Sequence, residues 1–305
     1  VGEPLRITRI AERVYLLDTN ALGQPGTVAT YLLRGSKLAL VDCGYASSYQ
    51  NILDLLGELG ITPAEISYLI PTHVHLDHAG ATGHLLQRMR NARVVAHRLA
   101  APHLIDPRKL IESATRVFGQ ETMQLYGSPL PIEADKVIEV DDEFFMDLGD
   151  GLSITALYTP GHAPHQISLR VEEPNLLITA DAVGIIYPNV RTLIPTTPPP
   201  SFNPDQALST LDRLVQLQPK ALLLPHFGAR GDAQHVFDTT RMKISAWVSE
   251  VERLRNSGRE LEDIVMEVTR RVADEVGGRA EDLPSYARQS IRVSVMGILH
   301  YLKKR

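Results

Sequence analysis

Short apolar runs broken by glycine, proline and polar residues open the chain. Val14-Tyr15-Leu16-Leu17, Thr30-Tyr31-Leu32-Leu33 and Leu38-Ala39-Leu40-Val41 are rich in β-forming residues and bounded by turn formers. Residues 5–42 therefore read as strands. The period then changes. Ile52, Leu55, Leu56 and Leu59 recur at helical spacing, and Gly60 closes that segment. A strand at 68–70, a helix over 81–89 and a short strand at 93–96 follow. Residues 98–132 set proline and glycine among helical stretches at 110–118 and 121–126. This is a helical excursion of the kind that borders a site.

A second strand-rich block runs from 136 to 178. The proline-rich stretch 192–204 reads as a loop, and Asn203-Pro204 as a helix start, with Asn capping and Pro at the first helical position. After His226 the pattern is helical, over 236–256, 260–276 and 286–304, with no strand expected. Ile264, Val265, Val268, Val272 and Val276 form one apolar stripe. Ile291, Val295, Ile298, Leu299 and Leu302 form another. Such stripes pack against the body of the protein or against a second copy, so a homodimer through these helices is an expectation. Strands alternating with helices place the chain in the α/β class.

The chemistry is concentrated in a few turns. His73-Val74-His75-Leu76-Asp77-His78 puts potential metal ligands close together, just after the apolar run that ends at Ile70. Three later segments repeat the layout of apolar run, sharp turn and ligand: residues 154–162 ending in His162, 175–181 ending in Asp181, and 221–226 ending in His226. Neutral imidazoles and carboxylates suit zinc first, and iron or manganese as well. If these strand ends meet at one edge of a fold, they supply a ligand set for each of two divalent ions.

Composition narrows the classes. The 305-residue chain carries a formal charge of −5, so no overall field draws it to nucleic acid or to an anionic membrane. No apolar run is long enough to span a bilayer, and the first ten residues hold no apolar signal segment. The single cysteine, Cys43, excludes an intramolecular disulfide and a thiolate-rich metal site, and fits a cytoplasmic location. It reads as a packing residue.

Together, Val41-Asp42-Cys43-Gly44, the HxHxDH cluster, Thr159-Pro160-Gly161-His162, Thr179-Ala180-Asp181 and Pro225-His226 resemble the metallo-β-lactamase superfamily over about residues 10–230. The resemblance implies an αββα sandwich with metals at one edge, here a catalytic domain over 1–230 and a helical C-terminal extension over 231–305. It implies that His73, His75 and His162 hold one metal, that Asp77, His78 and His226 hold a second, and that Asp181 bridges them. Asp77 would also serve catalysis by shuttling a proton. Asp42 would orient ligand histidines from behind. A metal-bridging hydroxide would then hydrolyse a small-molecule substrate without a covalent enzyme intermediate.

The glyoxalase II-like group shares this ligand set and a helical C-terminal region. Its basic glutathione motif is not evident in 227–305, which leaves acyl thioesters or other small esters as the leading class. Alternatives within the fold are an endoribonuclease or phosphodiesterase, a mononuclear iron persulfide dioxygenase and a lactonase; a binding module without activity stands further off. The lactonase reading is weakened because the third residue after Asp181 is Gly184, and the nearest tyrosine is Tyr187. His165 is a candidate substrate or ligand-supporting group. Tyr187, Phe227, Phe118 and Tyr126 are pocket candidates, although core packing is the commoner use of such residues.

Overall fold

The computed structural model describes residues 6–305, so part of the stretch read for a signal segment lies outside the described residues. Strands β1 (Ile7–Ala11), β2 (Val14–Asp18), β3 (Ala29–Arg34), β4 (Leu38–Val41), β5 (Ile66–Ile70), β6 (Arg93–His97) and β7 (Val137–Val140) form one sheet in chain order. Pairing is antiparallel as far as β4 and parallel beyond it. Parallel neighbours need crossovers. These are α1 (Tyr49–Glu58), then α2 (Leu76–Ala79) with α3 (Thr82–Arg88), then the excursion α4 (Ala101–Ile105), α5 (Arg108–Phe118) and α6 (Gln120–Tyr126).

The second sheet holds β8 (Phe144–Gly149), β9 (Leu152–Tyr158), β10 (Ile167–Val171), β11 (Leu176–Ile178), β12 (Ala221–Leu224) and β13 (Gly228–Arg230), ordered β13-β12-β11-β10-β9-β8. Helix α7 (Pro204–Gln216) crosses between the parallel pair β11 and β12. Asn203 caps it as expected, its side chain accepting from the Gln206 backbone N–H at 3.1 Å. β13 corrects the expectation of no strand after His226. It is a three-residue edge strand, too short to show a periodic pattern. Helices α8 (Ala233–Asn256), α9 (Leu261–Glu275) and α10 (Ser285–Lys303) complete the chain.

Alternation along the strands builds the layers. Tyr31 and Leu33 of β3, with Ala39 and Val41 of β4, face the second sheet, where they meet Ile154, Ile167 and Leu169. Leu32 and Leu40 point the other way, into the core under α1 and α3. Strands buried on both faces are apolar throughout, which is why these runs do not alternate in sequence. The Tyr31 hydroxyl ties the sheets together by donating to the Leu224 carbonyl at 2.7 Å.

The outer face of the second sheet, at Leu177, Leu222 and Leu224, shares one core with Leu211 of α7, Val236 of α8, Ile264 of α9 and Ile291 of α10. The C-terminal stripes thus pack on the body of the same chain. Val276 departs from its stripe: it lies just past the end of α9 and is exposed. The layers run helix, sheet, sheet, helix. Among the described residues no helix is long and apolar enough to cross a membrane.

Candidate metal centre and cavity

The ligand-bearing segments leave the sheets at one edge. His73 to His78 follow β5, His162 follows β9, Asp181 follows β11 and His226 follows β12. In open α/β sheets, sites gather at such strand ends because the chain there is freed from pairing. Gly161 makes the turn before His162 possible. Its φ is 131°, and a Cβ there would lie 2.4 Å from the Ala207 backbone of α7.

The ligand atoms converge. One each from His73, His75 and His162 all lie within 4.8 Å of one another, as do those of Asp77, His78 and His226, while His73, His78 and Asp181 join the two groups. Asp181 faces both: Oδ1 is 3.4 Å from His78 Nε2 and 3.6 Å from His226 Nε2, and Oδ2 is 3.5 Å from His162 Nε2. Every residue expected in the cluster is brought into it.

What lies behind the rings decides which nitrogens are free. His78 Nδ1 is 2.9 Å from Asp42 Oδ2. His226 Nδ1 is 2.7 Å from the Thr27 carbonyl, and His162 Nδ1 is 3.1 Å from the Thr196 carbonyl. His73 Nδ1 is 3.1 Å from the Thr72 hydroxyl, which itself donates to Asp42 Oδ1 at 2.8 Å. Each acceptor takes a hydrogen bond from Nδ1–H and turns Nε2 toward the cluster, where the neutral ring offers a lone pair. The ring nitrogens of the cluster face one another. His73 Nε2 is 2.9 Å and His162 Nε2 2.8 Å from His75 Nδ1, and His226 Nε2 is 3.2 Å from His78 Nε2. Lone pairs at this separation repel unless a cation or proton lies between them. Asp181 Oδ1 is buried without a hydrogen bond, a costly state for a carboxylate oxygen. Divalent cations fit this donor set.

Electrostatics point the same way. Burial pushes His75 and His162 down to about 3, so both rings are neutral and able to coordinate. Burial opposes charge on His78 too, but Asp42, Asp77 and Asp181 outweigh it and lift the ring to about 10. Asp77 is held below the usual carboxylate range: burial works against this, and His78 and His226 prevail. The carboxylates demand positive charge here, and without a metal the histidines supply it as protons.

A cavity of about 360 Å³ opens over these groups. His75, Asp77 and Asp181 lie at its floor; Leu22, Leu110, Val117, Phe118 and Val293 give apolar walls. The excursion through α5 and α6 therefore does border the site, and α10 closes it from the C-terminal side. Tyr126 and Phe118 line the cavity, whereas Phe227 packs on the core between the sheets. Tyr187 also lines it, with its ring 6.4 Å from that of His226 and its hydroxyl 3.1 Å from Ser290 of α10. Its distance in sequence from Asp181 does not keep it from the site. Tyr45, stacked on Tyr126 at 4.4 Å between centroids, and Tyr286 were not expected there. Cys43 is fully buried and its thiol is pushed up to about 12 by burial, which suits packing and not reactivity. His165 lines the cavity outside the converging groups, and burial pushes its ring down to about 2, so it is neutral.

Residues 23–226 match the family model of the metallo-beta-lactamase superfamily, and the chain belongs to that superfamily. It is 32% identical over 208 residues to the metallo-beta-lactamase fold-containing protein ST1585 of Sulfurisphaera tokodaii, spanning 67% of this chain and 74% of that protein. The solved structure of ST1585 superposes with a TM-score of 0.69 at 25% identity, covering 95% of this chain and 99% of the other. The N-acyl homoserine lactonase AttM of Rhizobium radiobacter is 32% identical over 136 residues, 44% of this chain and 47% of AttM. An N-acyl homoserine lactonase of Bacillus thuringiensis is 27% identical over 181 residues, 58% of this chain and 61% of that enzyme. Family, relatives and His/Asp clusters together make the protein a metal-dependent hydrolase.

Proposed function

We propose that the protein hydrolyses a small carboxylic ester, thioester or lactone carrying an apolar acyl group. The observation that carries this reading is the apolar cavity standing directly over the converging ligand atoms. A polyanionic substrate such as RNA would find only Lys109 among lysines and arginines in the lining, beside apolar walls that include Leu22, Leu110, Val117 and Phe118, which gives its phosphates little to pair with. The lactone form gains support from Tyr187 beside His226 and from the two lactonase relatives.

In this reading His73, His75 and His162 would hold one divalent ion and Asp77, His78 and His226 another, and Asp181, whose oxygens face both groups, would serve both. Zinc is the ion this donor set suits first. When bound, such ions supply a water acidic enough to be a nucleophile at neutral pH and a Lewis acid for the substrate oxygen. The chain does the rest. Asp42, Thr72 and the Thr27 and Thr196 carbonyls hold the rings in place. The apolar walls exclude bulk water and seat the acyl group. Asp77 lines the cavity as a carboxylate, and in this reading it also relays the proton to the leaving group. Residues 1–230 act as the catalytic unit, and 231–305 as an extension whose α10 finishes the acyl wall.

The test is metal analysis of protein purified without added metal, followed by esters, thioesters and lactones of increasing acyl length. Two divalent ions per chain and a preference for longer acyl groups are expected. One iron per chain with thiol-dependent oxygen uptake would overturn the reading.

A further inference from the structure

His165 is buried, yet neither of its ring nitrogens hydrogen-bonds to the protein among the described residues. Nδ1 is sealed and unpartnered, and Nε2 is left toward the cavity that the residue lines. The ring is only 7% exposed. It lies 6.3 Å from the ring of His75, 6.4 Å from that of His73 and 6.0 Å from that of His103. Holding metal does not account for it, because it belongs to none of the converging groups. Packing does not account for it either, since an apolar side chain fills space without leaving polar atoms unpaired.

Its backbone is held firmly. The Tyr158 hydroxyl donates to the Pro164 carbonyl at 3.0 Å. The Gln166 side chain donates to the Thr159 carbonyl at 2.8 Å and accepts from the Asp181 backbone N–H at 3.3 Å. The turn that carries His165 is thus tied to the ligand loop of Asp181, and a group so braced is preorganised for recognition.

We propose that His165 is a substrate-positioning residue whose Nε2–H donates a hydrogen bond to a second carbonyl oxygen of the substrate, a few bonds from the scissile one. This rests on the hydrolase reading above and narrows its substrate class to keto-acyl compounds. Orphaned buried N–H groups are rarer than under-satisfied acceptors, which puts the ring proton on Nε2 and leaves the sealed Nδ1 as a lone pair. The scissile group belongs at the ligand atoms. His165, more than 6 Å away ring to ring, meets atoms further along the molecule. A ketone oxygen satisfies this donor without bringing an N–H or O–H of its own into the mainly apolar cavity, whereas a hydroxyl or an amide brings a hydrogen that needs a further acceptor.

The experiment compares phenyl octanoate with phenyl 4-oxooctanoate on metal-loaded wild type, His165→Phe and His165→Gln, with metal content measured for each. The wild type should favour the oxo ester about tenfold in kcat/KM, mainly through KM, the worth of one neutral hydrogen bond. His165→Phe should bring that ratio to about one at unchanged metal content. His165→Gln, whose amide N–H can donate, should restore part of it. No preference in the wild type, or a preference that survives in His165→Phe, overturns the proposal; so does metal loss from both variants, which makes His165 structural. If neither ester is cleaved, calorimetric binding of 4-oxooctanoate against octanoate reads the same contact. An oxo preference there, lost in His165→Phe, keeps His165 in its role and sinks the ester reading; no preference sinks both.

Discussion

Asp42 Oδ2 lies 2.9 Å from Nδ1 of His78, with both side chains fully buried, and the other Asp42 oxygen reaches His73 through the Thr72 hydroxyl. One carboxylate therefore orients a ring in each ligand group. Asp42→Asn keeps the shape but removes the charge that steadies both. Outer partners of this kind typically carry 10–100-fold in metal affinity. The variant should lose metal to a chelator at correspondingly lower concentration while keeping its far-ultraviolet circular dichroism. Unchanged affinity would separate Asp42 from the metal centre.

His75 Nδ1 is the point where His73 Nε2 and His162 Nε2 meet, at 2.9 and 2.8 Å. His75→Ala removes that shared corner. Both metal retention and turnover should be abolished, as read by elemental analysis and by assay on the substrate found in the screen. An active, metal-free variant would end the metal-hydrolase account.

Protonation gives a separate test. In the metal-free chain burial lowers His78, but Asp42, Asp77 and Asp181 lift it to about 10, so at pH 7 it carries a proton. A metal needs the lone pair that this proton occupies, and binding must release it. Calorimetry of zinc binding at pH 7 in buffers of different ionisation enthalpy should give heats that vary with the buffer, and affinity should fall as pH falls. Heats independent of buffer would mean that His78 is already neutral.

Gly297 of α10 sits against the proline-rich loop so closely that a Cβ would lie 1.8 Å from the Thr197 carbonyl oxygen. Ser294 grips the same loop, accepting from the Thr197 backbone N–H at 3.3 Å and donating to the Pro195 carbonyl at 2.8 Å. The next residue, Thr196, presents the carbonyl behind His162. Gly297→Ala should force the helix and loop apart, costing about 1–3 kcal/mol as overpacking does. It should also weaken metal binding through His162. A lower Tm with intact metal affinity would confine α10 to a structural part.

Ala114 of α5 lines the cavity, and a larger side chain there takes up room for the acyl group. Ala114→Phe should raise KM for long acyl substrates while sparing short ones. An equal effect at every length would mean that the acyl group lies elsewhere.

The chemistry-bearing residues were legible because metal chemistry needs particular residue types close together at strand ends. His73 to His78, His162, Asp181 and His226 leave a local mark in the chain, and so does the apolar run before each. The layered fold was legible for a similar reason. Strand segments buried on both faces, such as Tyr31–Leu33 of β3 and Ala39–Val41 of β4, are apolar without a break, while the helices keep their stripes.

Other features had no such mark. The carbonyls of Thr27 and Thr196 orient His226 and His162, yet every residue has a carbonyl, so only the path of the backbone selects them. Tyr187, Ser290 and Tyr286 meet because α10 packs over the loop after Asp181, a contact across about a hundred positions that no local pattern encodes. The amino-acid sequence by itself determined the cluster of His and Asp side chains and the layers, since both follow from residue type and spacing. The cavity, its apolar wall and the unpartnered face of His165 were decided by tertiary structure, because they depend on which surfaces come together.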